Sequence, residues 1–191
     1  MARPRSEDKQ QALLHSATEV IATQGLGAST ASIAKLAGVA EGTLFRYFAT
    51  KDILLAAVFD YLIDELEACL GRNSDSSVSI KHRTQIMWDN YIDWGIANPA
   101  AYATMNQLAV SGKLAPEQLD KAMKLCGEVG VKLEAVSIEG LSLAQSTEFM
   151  DAVLTAIANT TVALATANPD LINAYKKAGF GVMWKAITPD S

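Results

Sequence analysis

Glu41, Thr43, Arg46 and Tyr47 fall within one short segment, Glu41 to Phe48 (EGTLFRYF), and Lys51 follows three residues later. Short polar groups offered from the first turns of a helix can enter the major groove of DNA and present donors to base edges and phosphates. The segment follows a small-residue turn, Ala37-Gly38-Val39-Ala40, and that turn follows a short amphipathic stretch, Thr30 to Leu36. Two short helices cross steeply only if the turn between them tolerates positive φ, which Gly38 supplies. Ala34 is small enough to let them touch. Ile33, Ala37, Val39, Leu44 and Tyr47 take the positions that bury both inner faces against a third helix. The arrangement is a helix-turn-helix, and its chemistry is binding to DNA.

Other chemistries find little support. His15 and His82 are the only histidines, and neither has metal spacing such as H-x-x-x-H or stands near a C-x-x-C. The serine-rich stretch 74–79 contains no G-x-S-x-G elbow, and Gly38 to Gly42 does not follow a strand as a phosphate loop would. Asp60, Asp64, Glu65 and Glu67 cluster on one helix, where a solvated face is the simpler reading than an acid/base pair. Cys69 and Cys126 are far apart and too few for a disulfide scaffold, so both are expected to be buried thiols. No catalytic residue, metal ligand or cofactor is expected.

The elements that must position the motif are helices throughout. Leu13, Leu14, Ala17, Val20 and Ile21 form one face of a first helix that Gly25 is placed to end. A fourth helix runs from Lys51 to Leu70 before the polar stretch 71–77, and a fifth spans about Ile80 to Ala97. Asn98-Pro99 opens a sixth with Asn98 as its cap, and Ala115-Pro116 opens a seventh. Gly140 to Ser146 reads as a linker before two last helices, Thr147 to Ala167 and Pro169 to Ile187. The fold class is all-α, with about nine helices.

Bulk properties agree. Half of the 191 residues are apolar, enough for a core. The net charge of −5 looks wrong for a DNA binder until it is divided at Lys51. Up to that point Arg3, Arg5, Lys9, Lys35, Arg46 and Lys51 oppose Glu7, Asp8, Glu19 and Glu41, a net of +2 that leaves −7 for the remainder. One end suits phosphate and the other does not. No apolar run is expected to span a bilayer and no signal region is seen, so a cytoplasmic protein is expected.

The first fifty or so residues resemble the DNA-binding domain of the tetracycline-repressor (TetR) family of bacterial transcriptional regulators. Four stretches carry the likeness in order: the helix ending in Gln24-Gly25, the run Thr30 to Gly38 (TASIAKLAG), the segment Gly42 to Phe48, and Lys51-Asp52. The resemblance implies a helix-turn-helix DNA-binding domain over residues 1–50 and a regulatory, ligand-binding and dimerisation domain over 51–191. It implies that Thr43 and Tyr47 contact DNA through hydroxyls and that Lys51 meets a phosphate. Thr30 would hold a phosphate at the start of the second helix, although a simple N-cap would look the same. Arg46 can reach a base or a phosphate, and Leu44 is counted with this set. Phe45 lacks the hydroxyl often found at its position, leaving contact with a thymine methyl. Arg3 and Arg5 could follow the groove as an arm.

Two further groups lie in the acidic remainder. Trp88, Tyr91, Trp94, Tyr102, Met105, Met123 and Cys126 could line a pocket for an apolar or aromatic small-molecule effector, although such stripes also fill cores. Gly95, Gly127 and Gly130 would leave it room. In the last two helices Phe149, Val153, Ile157, Thr160 and Leu164, with Tyr175 and Val182, form apolar stripes. The resemblance implies that these helices pair with their copies in a homodimer, whose two half-sites on a pseudo-palindromic operator would lie about 34 Å apart. The expected function is a repressor released by its effector. The alternatives are an activator or partner-controlled regulator without a ligand and, from another class, a helical enzyme with an incidental helix-turn-helix.

Overall fold

The computed structural model describes residues 7–70, 78–127 and 138–188, with only the backbone described for Met123, Cys126 and Gly127. Arg3, Arg5, Gly130 and the polar stretch 71–77 lie outside the described residues. Within those limits the chain is all-α. The helices are α1 (Glu7–Gln24), α2 (Thr30–Leu36), α3 (Glu41–Tyr47), α4 (Lys51–Leu70), α5 (Ile80–Ala97), α6 (Pro99–Ala109), α7 (Pro116–Gly127), α8 (Leu143–Ala167) and α9 (Ile172–Ile187). A single 3₁₀ turn, Pro169–Leu171, precedes α9.

Helix ends follow local chemistry. Gly25, at φ +74°, ends α1, and its N–H donates to the Ile21 carbonyl at 2.8 Å. Gly38 turns the chain between α2 and α3 at φ +68°, a conformation that a Cβ would strain. The cap of α2 is Ser29, whose hydroxyl accepts from the Ser32 N–H at 3.1 Å, so Thr30 is the first helical residue and not the cap. Asn98 makes no side-chain cap to α6, where Pro99 alone sets the start. The expected linker to Ser146 is shorter than the sequence suggested. Ser142 caps α8 from Leu143, with Gln145 completing a capping box.

The chain forms two compact units. The first comprises Met1–Glu67 and Asn98–Ala122, and so gathers α1 to α3, most of α4, α6 and the start of α7. In its core Leu13, Ala17 and Ile21 of α1, Ile33, Leu44, Leu54, Val58, Leu62 and Leu108 are fully buried. α6 packs against α1, and buried Thr104 donates its hydroxyl to the Thr18 carbonyl at 2.8 Å. The second unit comprises Ala68–Ala97 and Met123–Ser191, where α8 packs on α9 and α5 packs on both. Gly179 makes that crossing possible. A Cβ there would come within 2.3 Å of Thr161 Oγ1 and 2.7 Å of Trp88 Cζ2.

Two expectations need correction here. By length and composition α8 is apolar enough to cross a membrane, contrary to the reading that no run approaches such a length. One such helix is weak grounds for a span, because a helix with two apolar faces passes the same test. Cys69 is exposed at the end of α4, not buried, because its position on the helix points away from Leu66 and Leu70. The side chain of Cys126 lies outside the described residues.

Candidate nucleic-acid interface

α3 shows two faces. Leu44 and Phe48 point inward, 0% and 3% exposed, and anchor the helix against the first unit's core. Glu41, Gly42, Phe45 and Arg46 form the exposed arc, and half-buried Thr43 and Tyr47 flank it. Leu44, counted with the DNA-contacting set, has its side chain fully buried in packing. Burial of such a leucine contributes about 1.5–3 kcal/mol, which holds the short helix in place. The rings of Tyr47 and Phe48 lie 6.5 Å apart, which ties the outer flank of α3 to its inner face.

Thr30 and Lys51 both make bonds within the unit. The Thr30 hydroxyl donates to Glu41 Oε1 at 2.5 Å, joining the first residues of α2 and α3. Lys51 Nζ donates to the Leu26 carbonyl at 2.7 Å, where the chain passes from α1 to α2. An ammonium has three hydrogens, so Lys51 keeps two for another acceptor while its stem is held in place. Thr50 caps the start of α4 by accepting from the Ile53 N–H at 3.2 Å. Glu41, read from sequence as a polar group of this helix but not counted among the DNA-contacting residues, shares the exposed arc with Phe45 and Arg46.

The carboxylates of α4 are more engaged than a purely solvated face. Asp52 meets Lys113 at 3.2 Å and Asp64 meets Lys121 at 2.5 Å. Gln118 Nε2 donates to the Ala56 carbonyl at 3.0 Å and to Asp60 at 3.4 Å. The bond to Asp64 is the main cause that holds the Lys121 ammonium above its ordinary value. Tyr61 donates to Glu65, and burial with that carboxylate pushes its phenol up to about 12.

In the second unit Trp88 and Trp94 are each 5% exposed. Trp88 Nε1 donates to the Lys176 carbonyl at 2.9 Å, and Tyr91 stacks on Trp94 at 6.5 Å. Lys176 also meets Asp93 at 2.7 Å. Burial raises the carboxyl of Asp89, an effect that Lys176 opposes, and burial likewise raises Asp151. Tyr102 and Met105 are buried on α6 in the first unit, and the side chains of Met123 and Cys126 lie outside the described residues. Among the described residues no cluster of three potential metal ligands forms.

α8 and α9 carry an open groove of about 430 Å³. Val153, Ile157, Thr160, Leu164, Tyr175 and Val182, six of the seven residues expected at a dimer interface, line it together. Phe149 stands outside that lining, 54% exposed on α8.

The first unit carries a helix-turn-helix whose second helix is short and exposed, an arrangement suited to binding DNA. Residues 13–58 match the pattern of the tetR family of bacterial regulatory proteins. An HTH-type transcriptional regulator of Staphylococcus aureus (strain MRSA252) is 32% identical over 111 residues, covering 54% of this chain and 55% of that protein. The chain thus spans about half the length of the curated relatives it matches, or less. Among solved structures, a protein assigned to the tetR family from Shewanella sp. PV-4 superposes with a TM-score of 0.75 at 24% identity, over 95% of this chain and 98% of that one. The transcriptional regulator FadR from Bacillus subtilis, in complex with stearoyl-CoA, gives 0.66 at 18% identity over 91% and 97%. At these identities the likeness shows the fold.

Proposed function

We propose that this protein is a DNA-binding transcriptional regulator, a repressor that binds a pseudo-palindromic operator as a homodimer in the cytoplasm and is released by a small apolar or aromatic effector. The observation that carries the reading is the exposed arc of α3, flanked by Thr43 and Tyr47 and followed by Lys51, in the segment that matches the family. Direct readout falls to the α3 side chains, and Lys51 serves the phosphate backbone. Residues 1–50 form the DNA-binding domain and 51–191 the regulatory one. Support for the homodimer comes from the open apolar groove on α8 and α9, because a two-fold pair doubles the number of bases read. Support for the effector comes from the acyl-CoA held by the FadR neighbour and from the Trp88, Tyr91 and Trp94 cluster.

The test is selection of duplexes from a random pool, followed by titration of the chosen duplex at several salt concentrations. A defined inverted repeat should emerge. Lys51→Ala should lower the slope of log affinity against log salt by about 2, one phosphate per protomer, with base preference unchanged. A pool without enrichment would remove the reading.

A further inference from the structure

Resting on the reading of α3 as a base-reading helix, we propose that Glu41 selects cytosine at one position of each half-site and that Thr30 holds the Glu41 carboxylate in place. The starting observation is the 2.5 Å bond from the Thr30 hydroxyl to Glu41 Oε1, made across the helix-turn-helix between residues eleven apart. An O–H···O⁻ contact of that length is a charge-assisted bond, roughly twice as strong as a neutral one. A threonine hydroxyl has a single hydrogen, so Thr30 cannot donate to a phosphate while it donates to Glu41. Thr30 is then a positioning residue that acts through its neighbour, in place of the phosphate contact expected for it.

The chemistry of the partner follows from the carboxylate. An ionised Glu41 only accepts hydrogen bonds, so it is repelled by phosphate and takes donors alone. Gly42 beside it leaves open space, since a Cβ there would meet nothing within 4 Å, and a base edge can approach. In the major groove two bases offer amino donors, cytosine through N4 and adenine through N6. Adenine also presents the N7 acceptor next to its amino group, which opposes a group with only acceptors. Cytosine carries no such acceptor on that edge. A fixed carboxylate therefore prefers C·G, and fixing it matters, because a freely rotating glutamate would lose the entropy of its rotamers on every encounter.

Duplex selection with the wild-type protein and with Glu41→Gln, Thr30→Val and Thr30→Ser tests this. The wild type should require cytosine at one symmetric position. Glu41→Gln should move that preference to adenine, whose N6 and N7 a glutamine amide can pair together, by about tenfold in relative affinity, and leave other positions alone. Thr30→Val should keep the cytosine preference but weaken it several-fold, and Thr30→Ser should restore it. In a Glu41→Ala background, Thr30→Val should change nothing further at that base pair. Unaltered base preference for Glu41→Gln overturns the proposal. So does a Thr30→Val protein that loses affinity equally for every sequence, which would return Thr30 to a phosphate contact. If the wild type selects a repeat and the variants do not differ, this inference alone falls. Absence of any selection by the wild type sinks the operator reading with it.

Discussion

The first unit holds a set of large apolar side chains fully buried, whereas α8 and α9 leave several of theirs at the surface. Leu13, Ile21, Ile33, Leu44, Leu54 and Leu62 are each 0% exposed; Phe149, Leu164 and Val182 are 54%, 42% and 57% exposed. Both regions are rich in apolar residues, so composition does not separate them. Completion does: the first unit satisfies its core within one chain, and the outer face of α8 and α9 is left for another surface to cover. At about 25 cal/mol per Å² of apolar area removed from water, covering that face is a strong driving force for association.

The largest expected effect breaks the second region alone. Leu164→Glu should drive the proposed homodimer to monomers, because two-fold symmetry buries two unpaired carboxylates, each at a cost of several kcal/mol or about 3–5 when a charge is left uncompensated. Sedimentation should show the loss, while the helical content of the protomer persists. Next comes the first unit. Leu13→Ala should cost about 2–5 kcal/mol in denaturant unfolding, with no dependence on protein concentration. Equal effects on association from both variants would erase the contrast.

Two glycines sharpen it at a smaller scale. Gly179→Ala should destabilise by about 1–2 kcal/mol net, because its methyl collides with Thr161 and Trp88 and overpacking outweighs the gain of about 1 kcal/mol in helix propensity. Gly181→Ala, with nothing within 4 Å, should instead be neutral or stabilising in the protomer, and the pair is read by thermal unfolding. The smallest effect belongs to the polar contacts of α4. Lys121 and Asp64 are 41% and 65% exposed, so Lys121→Ala should cost less than about 0.5 kcal/mol, reduced further by salt.

Much of the fold was legible because the signals were local. Gly25 and Gly38 occupy the positive-φ turns their types allow, and Pro99 and Pro116 open helices. Ser142 and Gln145 form a capping box that the sequence reading missed, because the glycine and serines around them read as a linker and hid the start of α8. The site was legible in part. The spacing of Thr43, Arg46, Tyr47 and Lys51 places them on or beside one exposed arc, and the period of α8 and α9 brings six apolar residues into one groove.

What sequence left out depends on contacts between elements distant in the chain. The bonds from Thr30 to Glu41 and from Lys51 to Leu26 arise only once α1, α2, α3 and α4 are packed. Leu44 was read both as an inward-facing residue and as a member of the DNA-contacting set, and the packed structure bears out the first of these by burying it completely. Thr104 meeting Thr18 could not be read from either helix, although it ties α6 to α1 across 86 positions. Acidic residues on α4 look solvated until Lys113, Gln118 and Lys121 are brought beside them.

The central claim is that two copies of this chain read one operator. Native mass spectrometry of the protein on the duplex chosen by selection measures this directly, since each chain adds 20.4 kDa. The account predicts two chains per duplex, with Leu164→Glu reducing the complex to weakly bound single chains. One wild-type chain bound per duplex at undiminished affinity would contradict it.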